Sequence, residues 1–356
     1  MLTFSKGGGN ITELARVAEL VDARVSKTRS LWECRFDPGP GYFFKAPSAT
    51  MRLYLVDTLF HIFRSYYALP RSMRSKSGVP TNAVHGVLGI LRNIWRTEGV
   101  THVATVFESL SGIFREELSA DYKAHREPPP EDLMTQIPLI KEACRRLGLA
   151  TWEVDGFEAD DVIGSLARLA VEQGVGVTIV SNDKDLAQIL ALEGDVELLR
   201  SKGASSKAKL ERVRRENVSD VFGVEAFQIP SFLALRGDAV DNIAGLKGVG
   251  EKTAARWLQG GKTLEDLLAD PDSLGKRWAG VVRENEPGLR RDLTLATIRD
   301  DIDFSKYGLE FRLQAFEPHP LDGIDDFFRD LDMKRHLSEV EDLLNAGATV
   351  RDLWTV

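Results

Sequence analysis

Four short apolar runs, each followed by a helical pattern, constrain the fold of this chain more than any other feature. The runs are Leu53–Val56, Val103–Phe107, Ala150–Val154 and Val177–Val180. Largely apolar runs of this length are typical of strands that are buried on both faces of a sheet. Their alternation with helical segments predicts an α/β fold, a twisted parallel sheet with helices on both faces.

Acidic residues follow every one of these predicted strands. They are Asp57, Glu108, Asp183 and Asp185 and, ahead of an amphipathic helix, Glu158, Asp160 and Asp161. A single acid here would be an ordinary helix cap or turn residue. Ligands bind outside the carboxyl ends of the strands in an open parallel sheet. Converging acids therefore predict an oxygen-ligand site for Mg²⁺ or Mn²⁺.

The cluster Glu158–Asp161 carries three acids within four residues. Glu158 and Asp161 are three positions apart, so we expect them to share one helix face. Asp160 would join them only if the first turn is irregular or faces a cleft. Acids suit a helix N-terminus, but three together repel one another, which indicates a compensating cation.

The region after residue 200 is expected to be helical. It opens with a basic run, Arg200 to Arg215, which is either a solvated face or a DNA contact. Asp238 and Asp241 then lie in one turn. Gly248 and Gly250 open a further helix, where free backbone N–H groups can bind a phosphate. A tight structural turn explains these glycines equally well, but beside a metal site they indicate a DNA-backbone clamp.

Composition limits the class of protein. The chain has 356 residues, 43% of them hydrophobic and 28% charged, which predicts a globular protein large enough for two domains. Cys34 and Cys144 form no CxxC motif, so neither a zinc site nor a disulfide framework is expected. We expect a cytoplasmic protein without a membrane segment. The net charge of -8 disfavours nucleic acid at first sight, but binding responds to local potential.

Residues 1–50 look unlike the rest and lack a sustained hydrophobic pattern. The segment Cys34–Pro38 can be back-translated to the T-arm of a transfer RNA gene. Residues 18–23 and 25–28 similarly match a D-arm and an anticodon loop, in the correct order. We therefore expect a disordered extension or a start site assigned too early, with Met51 the true first residue.

Eight motifs together resemble a known family, the metal-dependent 5′ nucleases. They are Val56-Asp57, Val106-Phe107-Glu108, Phe114-Arg115-Glu116, Tyr122-Lys123-Ala124-His125-Arg126, Glu158-Ala159-Asp160-Asp161, Asp183-Lys184-Asp185, Gly237-Asp238 with Asp241-Asn242, and Gly248-Val249-Gly250-Glu251-Lys252-Thr253. The chain is similar, from Met51 to about Leu344, to the 5′→3′ exonuclease domain attached to bacterial type I DNA polymerases, a relative of flap endonucleases. The resemblance implies a PIN-like fold with a C-terminal helix-three-turn-helix subdomain.

The resemblance also implies residue roles. One metal ion would be held by Asp57, Glu108, Glu158, Asp160 and Asp161, and a second by Asp183, Asp185, Asp238 and Asp241. Catalytic Arg115 and Lys123, with Arg126, would lie in an arch over the site (residues 109–132). DNA would also meet Phe63, Tyr66, Tyr67, Gly248, Gly250, Lys252 and Thr253, although core packing suits at least one of these aromatics. Two Mg²⁺ ions, replaceable by Mn²⁺, and K⁺ at the helix-three-turn-helix are the implied cofactors.

The expected domains are the extension 1–50, a nuclease domain 51–200, a helix-three-turn-helix subdomain 201–300 and a C-terminal segment 301–356. The expected function is a monomeric 5′→3′ exonuclease or 5′-flap endonuclease, working beside a separate DNA polymerase. The family usually has Asp at Glu108, Gly at Thr58 and Thr-Gly at Ser181-Asn182, so two alternatives stay open. They are a PIN-type ribonuclease and a non-catalytic protein that binds branched DNA.

Overall fold

A six-stranded sheet forms the centre of the described part of the chain. The computed structural model describes residues 51–98, 100, 102–109, 113–202, 209–313, 324–334 and 336. The strands are β1 (Arg52–Asp57), β2 (His102–Val106), β3 (Ala150–Trp152), β4 (Gly176–Val180), β5 (Val196–Lys202) and β6 (Lys209–Arg214). Their order is β3-β2-β1-β4-β5-β6, and every neighbouring pair is parallel except β5 and β6. The predicted parallel sheet is confirmed.

Strand β1 shows why both faces of the sheet are covered. Leu53 and Leu55 pack into one hydrophobic cluster, while Tyr54 and Val56 pack into another on the opposite face. Successive side chains of a strand point to opposite faces, so a strand that is apolar throughout needs a layer on each side. Burying each leucine contributes about 1.5–3 kcal/mol.

Six helices of the first domain supply these layers. They are α1 (Thr58–Ala68), α2 (Asn82–Glu98), α3 (Phe114–Leu118), α4 (Glu131–Met134), α5 (Gln136–Arg146) and α6 (Ala159–Glu172). Apolar residues of α1, α2 and α5 share the cluster of Tyr54, whereas α6 packs with Leu53. One predicted helix, residues 133–147, is divided into α4 and α5. Pro138 lies in the first turn of α5, where a missing N–H costs little.

The helical expectation for Arg200–Arg215 is wrong, because this stretch contains the antiparallel pair β5–β6. Glu197 is buried on β5, and Arg212 and Arg214, two positions apart on β6, both pair with it. That spacing puts both arginines on one face of a strand. Arg212 and Arg214 therefore neutralise the buried Glu197. The sheet itself extends beyond residue 200, the expected end of the nuclease domain.

Six further helices follow the sheet. They are α7 (Val218–Phe222), α8 (Ile229–Arg236), α9 (Glu251–Trp257), α10 (Leu264–Ala269), α11 (Lys276–Ala296) and α12 (Ile324–Asp330). Phe232 and Leu235 of α8 share the hydrophobic cluster of α6. This packing brings the turn after α8 to the carboxyl edge of the sheet. Within the described ranges, no helix is both long and apolar enough to cross a membrane.

The prediction for residues 1–50 lies outside the described residues. The same holds for most of the segment beyond residue 313, apart from α12 and its flanks.

Candidate active site

Asp57 ends β1 and is held from two sides. Its Oδ1 accepts a hydrogen bond from the backbone N–H of Phe60 (3.1 Å), so the side chain caps α1. Its Oδ2 accepts another from the Ser181 hydroxyl (2.6 Å) at the end of β4. Burial nevertheless raises the pKa of Asp57 from 3.8 to about 6, and nearby Asp183 and Glu108 add to the rise. The carboxylate is therefore fixed in place but lacks a cation.

Glu108 lies two residues beyond β2 and approaches the same edge of the sheet. The preceding residue, Phe107, donates a backbone hydrogen bond to the carbonyl of Trp152 at the end of β3 (2.8 Å). Burial raises the pKa of Glu108, Lys123 opposes that rise, and Glu158 reinforces it. The acid therefore faces the cluster that the sequence predicted.

At the start of α6, Glu158 and Asp161 contact the same Arg115 guanidinium, in line with their expected common face. Burial raises the pKa of Asp160 well above 3.8, and Asp183 and Asp57 raise it further. Asp160 thus faces the other strand-end acids. The carboxylate of Asp161, in contrast, is fully buried against Arg115. Adjacent helical residues point about 100° apart, so the prediction that Asp161 lies with the metal-binding acids is corrected, and Asp160 takes that position.

Asp183 and Asp185 follow β4 in a tight turn. The backbone N–H of Asp183 donates to the Ser181 hydroxyl (3.0 Å), and that of Asp185 donates to Oδ1 of Asp183 (2.9 Å). The Oδ1 atom of Asp185 is buried without a hydrogen-bond partner among the described residues. Burial, and then Asp183, raises the pKa of Asp185 to about 8. A buried acceptor of this kind is costly unless a ligand or an ion satisfies it.

Asp238 and Asp241 reach the cleft from the turn after α8. Asp238 and Ile243 exchange two backbone hydrogen bonds (2.9 and 2.8 Å), which close the turn. The Asp238 carboxylate pairs with the Lys184 ammonium (2.6 Å), whereas Asp241 pairs with Arg126 (2.5 Å). Burial opposes ionisation of Asp238, but Lys184 and the backbone N–H of Val240 together outweigh burial and lower the pKa of this acid. The second domain therefore contributes two acids, each paired with a cationic side chain of the first domain.

The described part of the predicted arch, residues 113–132, folds down onto the acids. The Lys123 ammonium pairs with Glu158, and its backbone N–H donates to the Asp241 carbonyl (3.1 Å). The Tyr122 hydroxyl donates to Oε2 of Glu158 (3.1 Å). Lys123 has a φ of 52°, in the left-handed region. Non-glycine residues are found there at a cost of about 1 kcal/mol or more, often at functional sites.

Arg115 does not lie in an exposed arch, and its prediction as a phosphate-binding catalytic residue is corrected. Its side chain is only 2% exposed. The guanidinium contacts Glu158 (2.8 Å) and Asp161 (2.6 Å) and also donates to two backbone carbonyls. Because these contacts occupy it inside the protein, it cannot reach a substrate phosphate as the structure stands.

The predicted helix-three-turn-helix residues lie in a turn that leads into α9. Gly245 has a φ of 65°, and a Cβ there would lie 2.2 Å from the backbone nitrogen of Gly237. Gly248 also has positive φ, and Gly250 precedes the first residue of α9. Lys252 is exposed, and Thr253 donates its backbone N–H to the Gly250 carbonyl (3.0 Å). Gly245 and Gly248 meet a structural need here, whereas Gly250 has no positive φ and no close neighbour that would exclude a side chain.

The three candidate stacking residues on α1 differ in exposure. Tyr66 is buried, and its hydroxyl pairs with Asp132, so its prediction as a base-stacking residue is corrected. Tyr67 is 62% exposed. Phe63 packs partly against the core. Tyr67 therefore offers the largest aromatic surface of the three.

Three side chains that the sequence analysis named without a role contact these acids. Ser181 binds Asp57, Tyr122 binds Glu158, and Lys184 binds Asp238. Their motifs were visible in the sequence, but their partners lie far away along the chain, so their contacts could not be predicted from it.

The described acids fit a divalent cation. Their donor atoms are all carboxylate oxygens, the ligands that Mg²⁺ and Mn²⁺ prefer. Burial raises the pKa of Asp57, Glu108, Asp160, Asp183 and Asp185, so their negative charges lack full compensation. In the described part of the chain, no group of three acids is arranged closely enough to form a metal site without movement of side chains. Lysine ammonium groups pair with Glu158 and Asp238 instead.

Comparisons with known proteins agree with this geometry. A family model described as "5'-3' exonuclease, N-terminal resolvase-like domain" matches residues 52–223, and one described as "5'-3' exonuclease, C-terminal SAM fold" matches residues 224–322. A 5'-3' exonuclease of Aquifex aeolicus is 34% identical over 300 residues, which are 83% of this chain and 97% of the relative. DNA polymerase I of Mycobacterium tuberculosis is 35% identical over 306 residues, which are 85% of this chain and 33% of the polymerase.

Solved structures show the same architecture. A T5 5'-exonuclease with bound divalent metal ions (zinc) superposes with a TM-score of 0.57 at 20% identity, covering 69% of this chain and 89% of that one. A bacteriophage T5 flap endonuclease in complex with DNA and metal ions gives 0.56 at 19% identity, covering 69% and 88%. At these identities the likeness concerns the fold.

The fold and its acidic cleft define a two-domain protein, with a PIN-like, resolvase-like sheet domain followed by a small helical domain. The chain belongs to the 5'-3' exonuclease family. It spans about a third of the length of the polymerases that it matches.

Proposed function

We propose that this protein hydrolyses phosphodiester bonds of DNA at 5′ ends or 5′ flaps, with two Mg²⁺ ions that Mn²⁺ can replace. The observation that carries the proposal is the convergence of buried acids from both domains at one edge of the sheet. The pKa of most of these acids is raised by burial. A site that concentrates uncompensated carboxylates is built for cations.

The family resemblance implies two metal positions in this cleft. Asp57, Glu108, Glu158 and Asp160 would hold one ion. Asp183, Asp185, Asp238 and Asp241 would hold the second. When bound, such a pair of ions supplies a hydroxide at neutral pH and stabilises the attacking and leaving oxygens.

Residues of the arch act on the phosphate. Lys123 and Arg126 carry cationic groups at the rim of the cleft, where they pair with Glu158 and Asp241. With metal ions held by those acids, both cations would be free to bind the scissile phosphate and stabilise the charge that develops on it. The products would carry 5′-phosphate and 3′-hydroxyl ends.

The second domain would hold the DNA duplex. Backbone N–H groups at Gly248 and Gly250, with Lys252 and Thr253, would bind the DNA backbone, and K⁺ would be held there by backbone carbonyls. Tyr67 would stack on a base near the 5′ end, with Phe63 beside it. We propose that the protein acts as a monomer and passes its product to a separate DNA polymerase.

A 5′-labelled flap duplex tests the function directly. The proposal predicts cleavage with Mg²⁺ or Mn²⁺, none in excess EDTA, and a marked preference for a DNA flap over an RNA flap of equal sequence. Preferential cleavage of RNA would indicate a PIN-type ribonuclease. Tight binding of the flap without cleavage in either metal would indicate a non-catalytic DNA-binding protein.

A further inference from the structure

Arg115 donates a hydrogen bond from every N–H that a guanidinium possesses. Nε donates to the Leu295 carbonyl (2.9 Å), and Nη1 donates to Glu158 (2.8 Å) and Asp161 (2.6 Å). Nη2 donates to Asp161 (2.8 Å) and to the Thr297 carbonyl (2.7 Å). Since arginine has five N–H groups, none remains for a substrate.

Two of these acceptors belong to the end of α11. Leu295 is the penultimate residue of that helix, and Thr297 follows it. Carbonyls at a helix C-terminus lack partners within the helix and carry partial negative charge, so a buried arginine suits them. Gln188 reinforces the junction, because its amide nitrogen donates to the Ala296 carbonyl (3.1 Å) and its oxygen accepts from the Ile298 N–H (2.9 Å).

One turn earlier, the same helix holds the turn that precedes α9. The buried carboxylate of Asp292 accepts a hydrogen bond from the backbone N–H of Gly245 (2.9 Å). Gly245 is packed directly against Gly237, leaving no room for a side chain. The last two turns of α11 therefore contact the proposed DNA-binding turn at one point and the arginine that holds Glu158 at another.

We propose that Arg115 and Asp292 are positioning residues, which through the end of α11 hold Glu158 in register with the DNA-binding turn. The inference rests on the proposed function, because it says how DNA held by the second domain is aligned with acids of the first. A misplacement near 1 Å at a catalytic group can cost about a hundredfold in rate. A short, fully hydrogen-bonded connection limits such displacement.

Single-turnover cleavage of a saturating 5′-flap substrate tests this. Arg115→Lys keeps the positive charge but removes the guanidinium and its five N–H donors. Asp292→Leu keeps the side-chain volume but removes the carboxylate that accepts the hydrogen bond from Gly245. We expect each to lower the rate at least about tenfold, while DNA affinity in Ca²⁺ stays within about threefold, since phosphate contacts dominate affinity. If Asp292→Leu does not fold, Asp292→Asn replaces it. Arg290→Lys, on an exposed pair with Glu265 in the same helix, is the control.

The double variant decides whether the two residues share one connection. If α11 links them, the combined loss of rate should be well below the product of the single losses. Independent roles would give the product, which would overturn the inference. So would a lowered melting temperature with an unchanged cleavage rate in the folded protein.

A second readout does not depend on cleavage. Calorimetric titration with Mn²⁺ should show weaker binding to Arg115→Lys than to the wild type, because Glu158 has lost its support. If the wild type cleaves no flap, the proposed function fails, yet this titration still tests the positioning role. Equal Mn²⁺ affinity in both proteins would overturn it.

Discussion

Asp57→Asn should make the metal-free protein more stable while removing a proposed metal ligand. Burial raises the pKa of Asp57 from 3.8 to about 6, so above pH 6 the folded protein carries a carboxylate that it disfavours. That difference corresponds to about 3 kcal/mol of unfolding free energy. The asparagine oxygen can still accept the hydrogen bond from the Phe60 N–H. Its NH₂ group, however, must donate to Ser181 instead of accepting from it, at a cost of about 1 kcal/mol. The expected net gain is about 2 kcal/mol.

The pH dependence follows from the sign of this shift. Below pH 3.8 the Asp57 carboxyl is protonated in both the folded and the unfolded state, so its burial as an anion does not lower the free energy of unfolding. Between pH 3.8 and 6 the unfolded state ionises first, so wild-type stability falls as pH rises. The advantage of Asp57→Asn should therefore be complete at pH 8 and absent near pH 4.

Urea denaturation in EDTA at pH 8 and at pH 4 measures both values. Asp272→Asn, which removes an exposed acid that pairs with Arg283, is the matched control and should change stability by less than about 0.5 kcal/mol. Adding Mg²⁺ should stabilise the wild type more than Asp57→Asn. A variant that is less stable than the wild type in EDTA at pH 8 would refute the claim that this acid lacks a compensating cation.

Three further predictions concern other parts of the chain. A protein that begins at Met51 should melt within about 4 °C of the full chain and cleave at the same rate; a larger drop would show that residues 1–50 support the fold. Lys123→Ala should lower the single-turnover rate far more than DNA affinity, because its cation is proposed to act in the transition state; lost affinity with an unchanged rate would leave it a binding residue. Glu108→Asp should change the rate by less than about tenfold, or about 1.4 kcal/mol, and Glu108→Gln should cost more; an inactive wild type rescued by Glu108→Asp would indicate a decayed site.

The sheet could be predicted because its signals are local. The strands around Leu55, Val106 and Val180 are short apolar runs, and the topology of parallel sheets brings their carboxyl ends together. The acids Asp57, Glu108 and Asp183 follow those strands along the chain. Their meeting at one edge was therefore predictable without knowing any tertiary contact.

The corrected predictions depend on partners that are distant along the chain. Asp161 faces Arg115 because that arginine also binds the end of α11, more than a hundred residues away. Arg212 and Arg214 lie on a strand that pairs with β5, where both contact the buried Glu197. The Asp161–Arg115 pair leaves no periodic pattern in the sequence, and the two-residue spacing of Arg212 and Arg214 is too short by itself to distinguish a strand from a helix.

Asp160→Asn tests whether acids from both domains bind the metal ions that are proposed to act on DNA. Asp160 is buried among Asp57, Asp183 and Glu158, and the substitution removes one charge with almost no change in size. Single-turnover cleavage of a 5′-flap DNA should be abolished across a Mg²⁺ titration, while flap affinity stays within a few-fold. Wild-type cleavage by this variant, or wild-type cleavage that persists in excess EDTA, would contradict the account.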